Sequence, residues 1–261
     1  MQGVIVFFIV VFACSLGSVS GIGGGIIIKP LMDALGGFSA AHVNAMTSIT
    51  ILTMTTVSII KSRRNALSIS WRVVAFFIVG SILGGILGNL ALARFIAQAA
   101  SDATVVIVQS LLQILFVLVV MAHELFKSHI PHFKVKNPFL MGAVGVGMGI
   151  IAAFLSIGGG LMNRPLLIIL LSMTSKSAVF TSLCIIFCAQ ASNVITMGVT
   201  THFSNVEPVV MLFMMAGAII GGYVGGAVAT KVNDKYFDRL FFITLVVILC
   251  INAGNLLRHF I

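Results

Sequence analysis

The sequence predicts an all-α polytopic membrane protein built from two homologous halves, and three observations carry that prediction. Hydrophobic residues fill 59% of the 261 positions and charged residues only 8%, whereas a soluble domain carries roughly 25% charged residues. Eight apolar stretches are long enough to cross a bilayer. A glycine-rich motif, Ile-Gly-Gly-Gly followed by a cation, Pro and Leu, occurs twice.

A spanning helix needs about 20 mostly apolar residues. In chain order the long candidates are Gly3–Ser20, Val43–Ile60, Trp71–Leu90, Val105–Met121, Phe139–Leu155, Ala178–Met197, Val209–Ala229 and Leu240–Leu257. Two short apolar pieces, Ile26–Leu35 and Leu161–Leu171, each follow a glycine triplet. The N-terminal stretch Gly3–Phe12 lacks an early basic region, so it reads as a first span and not as a cleaved signal. Residues 124–138 are polar, basic and interrupted by Pro131 and Pro138, as a cytoplasmic linker would be. The linker separates a first membrane repeat, 1–123, from a second, 139–261.

The net charge of +9 does not point to nucleic acid, because the cations sit in short loops where the positive-inside rule places them. His123, His129 and His132 lack regular ligand spacing, and Cys14, Cys184, Cys188 and Cys250 lie in apolar stretches. No metal and no cofactor is expected. There is no Walker sequence, no HExxH, no GxSxG and no carboxylate pair within a span, so the chain does not read as an enzyme.

The repeat extends beyond the motif. Ser20–Met32 aligns with Leu155–Leu167, Thr47-Ser48 with Thr181-Ser182, and the glycine run Gly80–Gly88 with Gly217–Gly225. Three landmarks in one order indicate duplication. Corresponding loops carry swapped charge. Lys61, Arg63 and Arg64 match a segment, Gly198–Pro208, without Lys or Arg; Ala93–Asp102 holds only Arg94, while its counterpart holds Lys231, Lys235 and Arg239. That swap favours inverted repeats, with an odd number of crossings or a re-entrant hairpin in each half. If each glycine break instead interrupted one continuous span, the halves would be parallel.

Interrupted helices in paired halves point to a substrate site where the interruptions meet. A helix that begins inside the membrane frees N–H groups that must line a cavity or bind something. The starts after Gly23, Gly24 and Gly25 and after Gly158, Gly159 and Gly160 therefore suit an anion. Lys29 and Arg164 stand before the two prolines, where each either attracts the anion, or else snorkels to the interface or pairs with a loop carboxylate such as Asp33. A second polar set comprises His42, Asn44, Thr47 and Ser48 in half one and Ser177, Thr181, Ser182, Gln190 and Asn193 in half two. Hydroxyls and amides can ligate an oxyanion or simply join helices. Ser39 and Ser175 are candidate N-caps. The runs Gly80–Gly88 and Gly217–Gly225 read as helix-packing seams.

With Gly21–Gly25 and Pro30-Leu31, and again Gly158–Gly160 and Pro165-Leu166, the sequence resembles the TauE/SafE family of permeases, also called the toluene-sulfonate uptake permease (TSUP) family. Ser156 replaces the first glycine of the second copy, and Lys29 and Arg164 depart from the usual apolar residue before proline. The resemblance covers essentially the whole chain. It implies a multi-pass protein of the inner or plasma membrane, a secondary transporter or exporter of a sulfur-containing oxyanion or organosulfonate. A coupling proton or sodium ion and a homo-oligomer are further candidate partners. A passive anion channel and a non-transport scaffold are the competing expectations.

Overall fold

The computed structural model describes residues 2–35, 40–63, 71–99, 101–127, 133–135, 137–155, 157, 160–200 and 207–260. They form ten helices and no strand: α1 (Gln2–Ser20), α2 (Gly25–Leu35), α3 (Ala40–Ser62), α4 (Trp71–Gln98), α5 (Asp102–Phe126), α6 (Pro138–Phe154), α7 (Gly160–Leu171), α8 (Ser175–Thr200), α9 (Pro208–Lys231) and α10 (Asp234–Phe260). All ten apolar segments expected from hydropathy are helical, but one of the eight expected to be long, Phe139–Leu155, falls short of a span. Seven helices are long and apolar enough to cross a bilayer; α6, with 17 residues, and α7, with 12, are shorter apolar helices. Large apolar side chains such as Phe8, Leu115, Phe139 and Leu212 are exposed, as a lipid-facing surface requires.

Local chemistry sets the breaks. Gly21 ends α1 in a left-handed conformation, φ 72°, with its N–H on the Gly17 carbonyl, and Gly23 follows at φ 82°. The Gly24 carbonyl then accepts the Ile27 and Ile28 N–H groups and starts α2. Asn137 caps α6 by accepting the Phe139 N–H, with Pro138 in the first turn, where its missing N–H costs nothing. At the other end of α6, Gln109 and Gln113 of α5 donate to the Phe154 and Leu155 carbonyls, at 2.7 and 3.1 Å. Those side chains satisfy acceptors that lipid could not. Linker residues Phe133 and Val135 donate their N–H groups to Ile169 and Leu170, covering the end of α7 in the same way. Helix α5 runs to Phe126, so Glu124 lies in its last turn.

Glycines decide the tightest packing. A β-carbon on Gly80, Gly84 or Gly88 of α4 would strike the backbone of α6 at Gly142, Val146 or Ile150. One on Gly217, Gly221 or Gly225 of α9 would strike α1 near Phe7, Val11 or Ser15. Both runs are therefore seams that let two helices approach closely. Each half contributes its first helix to the fourth helix of the other. On the second face of α9, Gly222 and Gly226 admit α3 at Met54 and Ser58.

The last turns of α9 and the first turns of α10 are a meeting point for other helix ends. Lys61, at the end of α3, donates to the Tyr223 hydroxyl at 3.1 Å. Lys176, in the first turn of α8, donates to the Thr230 carbonyl at 3.3 Å. Lys127, just past α5, meets Asp238 in the first turns of α10 at 2.5 Å.

Candidate functional site

Polar side chains inside apolar helices collect where hydrogen bonds can be satisfied away from lipid. Asn44 and Ser48 of α3, Ser81 and Asn89 of α4, Asn163 of α7, and Gln190 and Asn193 of α8 converge on one cavity. Helix α6 closes it with small residues, Gly149, Ala152 and Ala153. On α4 the four-residue spacing of Ser81, Gly85 and Asn89 puts all three on one helical face. The cavity measures about 30 Å³, room for about two waters. Its lining includes no titratable side chain.

Asn193 is the node of this site. Its amide nitrogen donates to Ser48 Oγ at 2.8 Å and lies 3.4 Å from Gln190 Oε1, while its oxygen accepts from the Asn89 amide. One side chain thus ties α3, α4 and α8 together. Ser81 is 4% exposed and its hydroxyl has no hydrogen-bond partner among the described residues. Leaving such a group unmet costs about 1–3 kcal/mol, which a water or an anionic ligand in the cavity would relieve.

Four of the residues predicted from sequence, Asn44, Ser48, Gln190 and Asn193, line the cavity. The others lie elsewhere. Thr47 and Thr181, at equivalent positions of the repeat, are buried with unpartnered hydroxyls outside the lining. Ser182 donates to the Gly21 carbonyl at 2.6 Å and so holds the first glycine turn. Ser177 is in the cap of α8, where its N–H donates to Thr174; Thr174, not Ser175, supplies that cap. His42 is half-buried near the start of α3. Ser39, Gly158 and Gly159 lie outside the described residues.

The described triplet glycines are packed rather than bare. A β-carbon on Gly24 would lie 3.2 Å from Cys14 Sγ and 3.3 Å from the Ala13 carbonyl. One on Gly25 would lie 3.2 Å from the Ile157 carbonyl, and one on Gly160 would collide with the Ile22 carbonyl. Ile22 and Ile157 precede equivalent triplets, so Gly25 and Gly160 each meet the backbone just before the other triplet. Ile186 separates these contacts from the cavity. It lines the cavity, and its Cδ1 is 3.4 Å from the β-position of Gly23 and 2.6 Å from that of Gly160.

Lys29 and Arg164 are both neutralised. Lys29, 2% exposed, pairs with Asp33 at 3.1 Å along α2. Arg164 is fully buried, stacked 4.2 Å from the centre of the Phe241 ring. It pairs with Asp238, lies 4.0 Å from Glu124 and donates to Ser175 at 3.2 Å. Neither cation lines the cavity. Of the sequence-based readings for these residues, carboxylate pairing describes the geometry. Sequence reasoning missed Ser81, Asn89 and Asn163. The available signal was polar residues within otherwise apolar helices, two of them inside or beside the Gly80–Gly88 run.

A bundle of apolar helices around an uncharged polar cavity is the architecture of a polytopic membrane protein. The family model for the sulfite exporter TauE/SafE matches residues 6–252, nearly the whole chain. The chain belongs to that family and is therefore a multi-pass membrane transporter of the sulfite-exporter type, not an enzyme. No curated protein and no solved structure matches it.

Proposed function

We propose that this chain carries a sulfur oxyanion, either sulfite or a small organosulfonate, through the amide-lined cavity by alternating access between inverted halves. The hydrogen-bonded set Asn89–Asn193–Ser48, with Gln190 alongside and no carboxylate in the lining, carries the proposal. An oxyanion leaving water needs N–H and O–H donors, and a neutral lining supplies them without a fixed charge that would hold it. Affinity then stays low enough for release, as turnover requires.

The small cavity favours a carrier over an open channel. A space of about 30 Å³ must widen to admit a four-atom oxyanion, so helices must move. Support for inversion comes from the helix ends. Helix α3 ends, and its counterpart α8 begins, beside the last turn of α9; α5 ends where its counterpart α10 begins. Inverted halves of this kind alternate access around a fixed site.

The test is flux of sulfite and of a methanesulfonate analogue into proteoliposomes, with pH and sodium gradients imposed separately. The native chain is expected to show saturable flux that responds to one of the gradients. Asn193→Leu, which removes the donors, and Asn193→Asp, which adds a negative charge in nearly the same shape, should each lower flux about tenfold or more, given the worth of hydrogen bonds to charged groups. Thermal stability is measured alongside. Unchanged flux in both folded variants would remove the cavity from the mechanism, and flux without saturation would replace the carrier by a channel.

A further inference from the structure

The cations at the end of α9 do something that the transport site does not use. Lys61 and Arg63 from the end of α3 and Lys231 from the end of α9 face one cavity of about 550 Å³, together with Ile60, Tyr223 and Thr230. None of the three forms an ion pair with a carboxylate among the described residues, whereas Lys29, Lys127 and Arg164 all do. Gly226 allows the approach, since a β-carbon there would lie 3.0 Å from Lys61 Cβ. Lys61 sits 4.2 Å from the centre of the Tyr223 ring, which fixes the ammonium at the cavity wall.

The positive-inside rule and the helix dipoles account for cations at these helix ends. They do not account for three unpaired cations facing one recess between two spans. Ile60 in the lining is 65% exposed, and Val224 and Val228, each next in sequence to a lining residue of α9, are exposed and apolar at 45% and 38%. A ligand that matches both zones has an anionic head and an apolar tail. The volume falls in the range of small-molecule sites, roughly 300–1,000 Å³.

We propose that this recess binds the phosphodiester headgroup of an anionic phospholipid, with its acyl chains lying along α9 past Val224. Basic pockets between spans on the cytoplasmic side hold anionic headgroups by this chemistry. The proposal is independent of the transport reading, because its evidence is binding and not flux.

The full-length protein, purified in zwitterionic detergent, is melted with increasing phosphatidylglycerol, phosphatidylcholine or inorganic phosphate at constant ionic strength. Phosphatidylglycerol is expected to raise Tm in a saturable way, and the other two are not. The Lys61→Gln/Lys231→Gln variant should need about thirtyfold more phosphatidylglycerol for the same shift, each cation contributing about fivefold. Arg94→Gln, an exposed cation on α4 outside the recess, should not change the response. If the double variant does not fold, the exposed single variants Arg63→Gln and Lys231→Gln must each weaken the response measurably. A lipid response that these substitutions leave unchanged overturns the proposal. An equal shift with inorganic phosphate also overturns it, making the ligand a free anion.

Discussion

Gly85 and Gly147 each carry a hydrogen where a β-carbon would meet nothing within 4 Å, yet only Gly85 lines the amide cavity. Both lie inside helices, where Gly→Ala gains about 1 kcal/mol of helix propensity. Gly85→Ala should therefore keep or raise thermal stability while lowering flux, because a methyl group takes a large share of so small a cavity. Gly147→Ala should raise stability and leave flux unchanged. Equal flux in the two variants would place the transport path elsewhere. Gly160→Ala should differ from Gly85→Ala by losing stability and flux together, because its methyl group would meet the Ile22 carbonyl. At this scale the sequence was only half legible. Asn193 and Gln190 stood out as amides in an apolar helix. Gly25 and Gly160 stood out too, but whether a glycine faces a ligand or another backbone depends on partners more than a hundred residues away. Lys29 and Arg164 were visible as intramembrane cations; the partner of Lys29, Asp33, lies four residues on, whereas that of Arg164 needed the position of Asp238 on a distant helix.

Arg164 shows what an element-scale ion cluster does in this fold. The short helix α7 projects it to α10 through Asp238, to α5 through Glu124 and to the start of α8 through Ser175. Lys127 bridges Glu124 and Asp238 at 2.7 and 2.5 Å. Four helices are thereby pinned at one end. Removing one partner of a buried pair strands the other charge, at a cost of about 3–5 kcal/mol. Lys29→Met leaves Asp33, 9% exposed, with no other ion pair among the described residues and should lower thermal stability by that order, with detergent melting as the measurement. Arg164→Met leaves Glu124 and Asp238 still paired with Lys127 and should cost less. If Arg164→Met melted like the native chain but lost substrate affinity, the cation would belong to the transport site after all. The elements themselves were legible because hydropathy and glycine breaks are local signals. The pairing of α1 with α9 and of α4 with α6 was not, although the two glycine runs that make those seams were visible as repeats.

The whole molecule has one end rich in cations. Lys61 and Lys176 meet the last turns of α9, where Lys231 also lies, and Lys127 meets Asp238 at the start of α10. Helices that correspond in the repeat reach this end with opposite termini: α3 with its last turn and α8 with its first, α5 with its last and α10 with its first. We propose on this basis that one half is turned over relative to the other, and that the positive-inside rule sets this end in the cytoplasm. The starts of α5, at Ser101 and Asp102, and of α9, at Glu207 and Pro208, should face outward, at the far ends of helices that finish among the cations. Single cysteines in a background lacking Cys14, Cys184, Cys188 and Cys250 test this with a membrane-impermeant thiol reagent. Arg63→Cys and Arg239→Cys should react only when the reagent is inside. Ser101→Cys and Glu207→Cys should react only from outside. Protection of position 207 together with position 63 on one side would mean parallel halves, and the alternating-access mechanism would lose its geometric basis.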